Sequence, residues 1–167
     1  TDDEINDYYN SIKDDESYSL KKDTRRVVQF VKWNMTDLNQ IQKDSIKKLA
    51  KDFRKSARRN GFDTALEQNN TYSLNKEITL SNEFSLSGSG LGAQTKNSDG
   101  SSSPFYNVIG AGRKIIEFAF TNDIGEIKLL NINSDRKTKG FNDVGVFYVK
   151  EELSEGYISL EESGIKD

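Results

Sequence analysis

Apolar residues recur at helical spacing at the start of the chain. Ile5, Tyr8, Tyr9 and Ile12 fall at positions i, i+3, i+4 and i+7, so they share one face of a short predicted helix. The acidic residues at 2–4 suit the positive end of its dipole.

A longer amphipathic helix is predicted over residues 36–59. Thr36 is placed as its N-cap, and the Asn60-Gly61 pair ends it. One half of the helical wheel is apolar and is expected to face the core: Leu38, Ile41, Ile46, Leu49, Ala50, Phe53 and Ala57. The other half is basic: Lys43, Lys47, Lys48, Lys51, Arg54, Lys55 and Arg58.

The run between these two helices, at residues 25–33 (RRVVQFVKW), is apolar and rich in valine. A run of this length fits a helix or a buried strand, because periodicity alone does not separate the two. We favour a helix, and the strand stays open as the alternative.

After Gly61 the period of the apolar positions changes to two, which is typical of half-buried strands. A strand is predicted at 78–86. A hairpin is predicted at 113–132, with Ile116, Phe118 and Phe120 on its first strand and a tight turn before the return strand. A third strand is predicted at 144–149, and residues 157–160 either add a short strand or dock loosely.

Helices followed by antiparallel strands predict a single α+β domain over residues 1–167. The N-terminal helices are expected to pack on an antiparallel sheet formed by the C-terminal half. The long helix should cover one face of that sheet and leave the other partly open to solvent. The acidic helix within 1–20 is expected to be loose, and the Gly/Ser-rich stretch 87–103 to be a mobile loop.

The composition of the 167 residues excludes most of the common catalytic mechanisms. Cysteine and histidine are both absent, so thiolate and imidazole nucleophiles, bases and zinc ligands are excluded. Carboxylate, Lys or Tyr chemistry stays open, but no pair of acids can be placed face to face from the sequence. We therefore predict no catalytic residue, no metal site, no cofactor and no enzymatic activity.

Charge is distributed unevenly along the chain, whose net charge is −3. Residues 1–20 carry −6, residues 21–60 carry +9 and residues 61–167 carry −6. The basic part lies mainly on the long helix, where the candidate surface for anions or a partner consists of Lys47, Lys51, Arg54, Lys55 and Arg58. Such a stripe suits phosphates, anionic lipids or wall polymers, and it equally suits the solvated face of an amphipathic helix.

Two further features have simple structural interpretations. Gly88, Gly90 and Gly92 lack the strand-loop-helix frame of a phosphate-binding motif, so they are interpreted as part of a flexible loop. The aromatic residues either fill the core or line a ligand pocket between helix and sheet.

The long helix at 36–59, the strand at 78–86 and the segment RKIIEFAFTNDIGEIKLLNI at 113–132 together resemble the cystatin-like and nuclear-transport-factor-2-like α+β folds. Small exported lipoproteins of Gram-positive bacteria, some from mobile elements, are similar in composition and arrangement. The resemblance implies a lipidated Cys before Thr1 in a precursor. Enzymes of the second fold use Asp, His or Tyr in a cone-shaped pocket, and no such role transfers to this chain without histidine.

The function expected from these observations is a non-catalytic, extracytoplasmic binding or scaffolding domain, secreted or anchored at the outer face of the membrane. Its partner is expected to be a protein or an anionic envelope polymer. The alternatives are a small-ligand carrier with an aromatic pocket and, below it, a binder of anionic polymer or nucleic acid through the basic helix. The acidic isoelectric point near 5.2 argues against nucleic acid, and no apolar run is long enough to span a membrane.

Overall fold

The computed structural model describes residues 1–15, 18, 20–22, 24–69, 71–81, 94–96, 102–104, 112–132 and 142–158. Their element order is that of an α+β protein, as the sequence predicts. The chain divides into two compact units, Thr1–Arg25 with Leu153–Asp167, and Arg26–Glu152. The prediction of one domain over 1–167 stays a prediction.

The smaller unit contains the predicted N-terminal helix, α1 (Asp2–Ile12). Thr1 and Glu4 form a capping box at its start, which satisfies backbone donors that have no partner within the helix. The Tyr9 hydroxyl donates a hydrogen bond to the carbonyl of Ile158. Two short strands, β1 (Lys21–Lys22) and β8 (Gly156–Tyr157), pair antiparallel, so a short strand does form at the start of the predicted stretch 157–160.

The larger unit is built on a six-stranded sheet with the order β5-β4-β3-β2-β7-β6. Its strands are β2 (Arg25–Asn34), β3 (Leu74–Ser81), β4 (Gln94–Lys96), β5 (Ser102–Pro104), β6 (Ile127–Ile132) and β7 (Asp143–Leu153). The register of β6 on β7 is antiparallel, from Ile127 opposite Tyr148 to Ile132 opposite Asp143. β7 confirms the third predicted strand.

β2 and β7 are neighbouring inner strands of the sheet. The end of β2 meets the start of β7, where the Met35 N–H donates to the Asn142 carbonyl at 2.6 Å. Further along, the Phe30 and Phe147 rings stack at 5.3 Å. The two strands therefore run antiparallel. The prediction of a helix at 25–33 is wrong, and the strand alternative is correct.

Three helices accompany the sheet: α2 (Gln40–Asn60), α3 (Phe62–Gln68) and α4 (Gly112–Thr121). α2 begins four residues later than predicted, because Asn39, and not Thr36, is its N-cap and forms a capping box with Gln42. It ends, as predicted, at Gly61, whose φ of +93° favours glycine.

Both faces of the sheet are covered. Val28, Phe30, Phe147 and Val149 belong to a core that α4 completes. The residues that alternate with them belong to a second core, completed by α2 and α3: Val31, Trp33, Val144 and Val146. The expectation that one face stays partly open to solvent is therefore wrong for this central part of the sheet.

The helix α4 replaces the first strand of the predicted hairpin at 113–132, and only the return strand, β6, is confirmed. Ile115, Ile116, Phe118 and Ala119 are all buried. Their spacing of i, i+1, i+3 and i+4 places them on one helical face. The alternating positions of Phe118 and Phe120 are also compatible with a strand. The segment forms a helix because its apolar face packs on the second face of the sheet.

Two other expectations change. Residues 94–96 and 102–104, placed in a mobile loop, form β4 and β5, whereas the rest of 87–103 and the end of the predicted strand at 82–86 lie outside the described residues. On α2, Ile41 is 80% exposed and Leu49 is 39% exposed. These two positions flank the apolar face, whose centre is Ala50, Phe53 and Ala57.

Candidate functional site: the cationic flank of α2

The most highly charged surface in the larger unit is that of α2. Its 21 residues include eight basic and two acidic side chains, a net charge of +6. Since the whole chain carries −3, the rest of it carries −9. α2 is thus a basic element in an acidic molecule, and its own field attracts anions.

The predicted candidate residues lie together on one side of α2. Lys47, Lys51, Arg54, Lys55 and Arg58 are spaced at i, i+4, i+7, i+8 and i+11, next to the buried face. Lys51 and Lys55 are exposed, and Lys47 and Arg54 are half-buried. We call Lys47, Lys51, Arg54 and Lys55 the cationic flank.

Arg58 has a different role from the other four. Its guanidinium donates to the Ile127 carbonyl, from Nε at 3.2 Å and from Nη2 at 2.8 Å. The same Nη2 lies 2.5 Å from Glu126 Oε1. Arg58 therefore joins the end of α2 to the start of β6 and belongs to the fold.

The cationic flank has no such internal partner. Within the ranges that the structure describes, none of its four side chains makes an ion pair or a side-chain hydrogen bond. The same holds for Lys43, Lys48 and Arg59 on the same helix. These charges are held close together by the helix and are available to an external anion.

The flank lies on the side of α2 next to an outer edge of the sheet, which we call the free edge because no strand among the described residues pairs with it. β6 is the last strand of the sheet order, and the Val149 N–H donates to the Glu126 carbonyl at 3.0 Å. By the antiparallel register, residues 128, 130 and 132 then turn their main-chain groups towards β7, and residues 127, 129 and 131 turn theirs outwards. Arg58 binds the outward carbonyl of Ile127, so its side of α2 is the side that faces the edge.

A shallow groove lies on another side of α2. It has a volume of about 210 Å³ and is lined by Asp52, Lys55, Ser56, Arg59 and Asn60. Among the flank residues only Lys55 contributes to it. The acidic side chain of Asp52 within the groove offsets part of its positive charge, which makes the groove a poorer anion site than the flank.

Aromatic side chains between α2, α3 and the sheet pack against each other. Phe53 contacts Trp33 at 5.7 Å and Phe62 at 5.4 Å between ring centroids, and Phe62 stacks on Tyr148 at 5.3 Å. The Trp33 indole N–H donates to the Thr71 carbonyl at 2.6 Å. These rings fill the second core, and this packing favours the structural interpretation of the aromatics over the ligand pocket.

No protein-family model, no curated protein and no solved structure matches the chain. The resemblance to cystatin-like and nuclear-transport-factor-2-like folds therefore stays a prediction. Of the helices that the structure describes, none combines the length and the apolar character that crossing a bilayer requires.

Four acidic residues of the larger unit lie at its surface. Glu117 and Asp123 are exposed, Glu126 pairs with Arg58, and Glu77 pairs with Lys150 at 2.6 Å. Among the described residues, no three acidic side chains come together as a metal site.

Sequence reasoning missed the most deeply buried charged pair. Lys32 and Asp143 meet at 2.9 Å between β2 and β7. The lysine was a detectable irregularity, since it stands directly between the apolar residues Val31 and Trp33. Its partner could not be named without the register of the two strands.

Proposed function

We propose that this protein is a non-catalytic binding domain that holds an anionic partner on the cationic flank of α2. The observation that carries the proposal is that Lys47, Lys51, Arg54 and Lys55 are fixed on one helix and make no ion pair with any described residue. Charges held in this way bind a multivalent anion without first breaking existing ion pairs.

The spacing of the flank favours an extended partner over a single small ion. Lys47, Lys51 and Lys55 follow each other at intervals of four residues, about 6 Å along the helix axis. An anion with charges repeated along its length meets all three in succession. Each exposed contact contributes about 1 kcal/mol or less, so useful affinity requires several contacts at once.

We further propose that the protein works outside the cytoplasm, with a protein or an envelope polymer as its partner. This location rests on the likeness in composition to small exported lipoproteins. Sequencing the gene upstream of Thr1 tests it: an export signal with a lipidated cysteine supports the proposal, and a start codon directly before Thr1 contradicts it.

Binding of fluorescein-labelled poly-L-glutamate, followed by fluorescence anisotropy at increasing salt, tests the flank. We expect binding that weakens as salt rises. The double variant Lys47→Glu/Lys51→Glu should bind about tenfold more weakly, since two contacts of about 0.7 kcal/mol are lost.

A matched control lies on the same helix. Lys48→Glu/Arg59→Glu makes the same change of charge at two exposed positions outside the flank, so it should weaken binding far less. Circular dichroism would check that each variant is folded. Equal losses in the two double variants would show that only the net charge of the helix matters, and absence of binding by the unaltered protein would refute the proposal.

A further inference from the structure

The free edge of β6 and the cationic flank lie side by side over the length of the strand. The chain enters α2 from the side of the sheet on which β6 ends, because Met35 bonds to Asn142 and the next residue, Asp143, is opposite Ile132. The end of α2 is at the start of β6, where Arg58 bonds to Ile127. α2 and β6 therefore run in opposite directions along each other.

The part of α2 from Lys47 to Arg58 matches β6 in length, whereas α2 as a whole is longer. Lys47 precedes Arg58 by about 16 Å along the helix axis, and Ile132 follows Ile127 by about the same distance along the strand. Arg54, one turn before Arg58, is accordingly level with Leu129. With Arg58 level with Ile127, the flank from Lys47 to Lys55 lies along β6 from Ile132 to about Leu129.

We propose that β6 binds an extended acidic peptide segment of a partner protein by strand addition, with the acidic side chains under the cationic flank. This inference rests on the proposed function and names the class of partner. Leu129 and Asn131 offer their outward main-chain N–H and C=O groups to the incoming strand, whereas the outward carbonyl of Ile127 is already bound by Arg58.

Strand geometry determines the sequence pattern of the peptide. Successive side chains of an added strand alternate between the two faces of the sheet. One set shares the α2 face with Leu129 and meets the flank, so it is acidic. The other set shares the opposite face with Leu130, which is partly buried in the α4 core, so it is apolar.

Charge and hydrogen bonding distinguish this partner from two others. A second copy pairing through its own β6 would bring two α2 helices of +6 each towards one another, which opposes the contact. A polyphosphate satisfies the flank but donates no hydrogen bond to the outward carbonyls of Leu129 and Asn131. An acidic peptide satisfies both the charges and the main chain.

The test uses a labelled peptide of alternating Val and Glu, six residues long to match β6, and the whole protein. Asn131→Pro removes an outward N–H and blocks the edge without loss of a β6–β7 hydrogen bond. We expect about tenfold weaker peptide binding for this variant. Asn131→Ala keeps the N–H and should bind like the unaltered protein. The same peptide N-methylated at alternate residues keeps its charge and should also bind about tenfold more weakly.

The outcomes separate the two proposals. If Asn131→Pro and N-methylation change nothing while Lys47→Glu/Lys51→Glu weakens binding, strand addition is wrong and the flank is still the anion site. If the flank variant also changes nothing, the proposed function fails as well. Inorganic polyphosphate binding more tightly than the peptide, with no effect of Asn131→Pro, would assign the site to a polymer. A mass that doubles with concentration by ultracentrifugation, and not in Asn131→Pro, would assign the edge to a second copy.

Discussion

Lys32 Nζ lies 2.9 Å from Asp143 Oδ2, between the neighbouring inner strands β2 and β7. Asp143 is fully buried and Lys32 is 9% exposed. Within the described part of the chain, the carboxylate of Asp143 has no hydrogen-bond partner beyond this contact. The pair places two opposite charges in an otherwise apolar layer.

Removing one member of this pair should destabilise the folded protein. We expect Asp143→Ala to lower the free energy of unfolding by about 3 kcal/mol or more, because Lys32 loses its carboxylate partner in a buried site. Urea denaturation followed by circular dichroism measures the change. The double variant Lys32→Met/Asp143→Leu should recover most of the loss, and a double variant as unstable as the single one would contradict this account.

Gly145 lies in a strand position with no room for a side chain. A Cβ there would approach the Phe147 ring at 2.6 Å and Ile132 Cδ1 at 3.0 Å. Gly145→Ala should therefore destabilise the larger unit by about 1 to 3 kcal/mol. Gly156→Ala is the control, because a Cβ at that position would have nothing within 4 Å, and thermal unfolding of both variants tests the difference.

Arg58 should contribute to stability through Ile127 more than through Glu126. We expect Arg58→Ala to cost about 1 kcal/mol, since the Ile127 carbonyl loses both of its guanidinium hydrogen bonds. Glu126→Ala should cost less, because that ion pair is about half exposed on both sides. Chemical denaturation of the two variants gives the comparison, and a larger loss for Glu126→Ala would reverse the assignment.

The ion pair between Lys150 and Glu77 should make stability depend on pH in the alkaline range. The hydrogen bond that Lys150 donates to Glu77 raises the pKa of Lys150 above its ordinary 10.5. The stabilisation is therefore complete below that value and is lost as the pH rises through the higher pKa of the folded state. Because both side chains are more than a third exposed, the effect should stay below about 1 kcal/mol.

A matched pair of variants isolates that effect from the titration of tyrosines. Denaturation midpoints from about pH 9 to about pH 11 should fall more steeply for the unaltered protein than for Lys150→Gln. Lys128→Gln, at an exposed position on β6, should follow the unaltered protein. Parallel curves for all three proteins would show that the ion pair contributes nothing.

The helices α1 and α2 and the last long strand were predictable because each has one dominant pattern. α1 and α2 repeat apolar residues at helical spacing, and the run at 144–149 is continuous and rich in valine. The error at α4 has a physical origin, since Ile115 to Phe120 fits a helix and a strand almost equally well. Two long apolar strands, β2 and β7, imply a sheet buried on both faces, and a sheet of that kind needs the second helical layer that α4 supplies.

The candidate site was predictable in its residues and not in its surroundings. Helical spacing alone placed Lys47, Lys51, Arg54, Lys55 and Arg58 on one side of α2. It could not show that Arg58 is bound to β6 or that the others stand over a sheet edge, because those relationships depend on the order of the strands. A local sequence pattern carries no information about contacts between residues that are far apart in sequence.

The central position of β2 has a consequence for how the protein is made. β2 leaves the ribosome early, whereas β7, its neighbour on one side, is synthesised only after β3, β4, β5 and β6. Until then the valine-rich strand has no partner on that side, and pairing over such a separation is slow. We therefore expect a nascent chain of this protein to need shielding, by a chaperone or by rapid completion of synthesis, to avoid aggregation through β2.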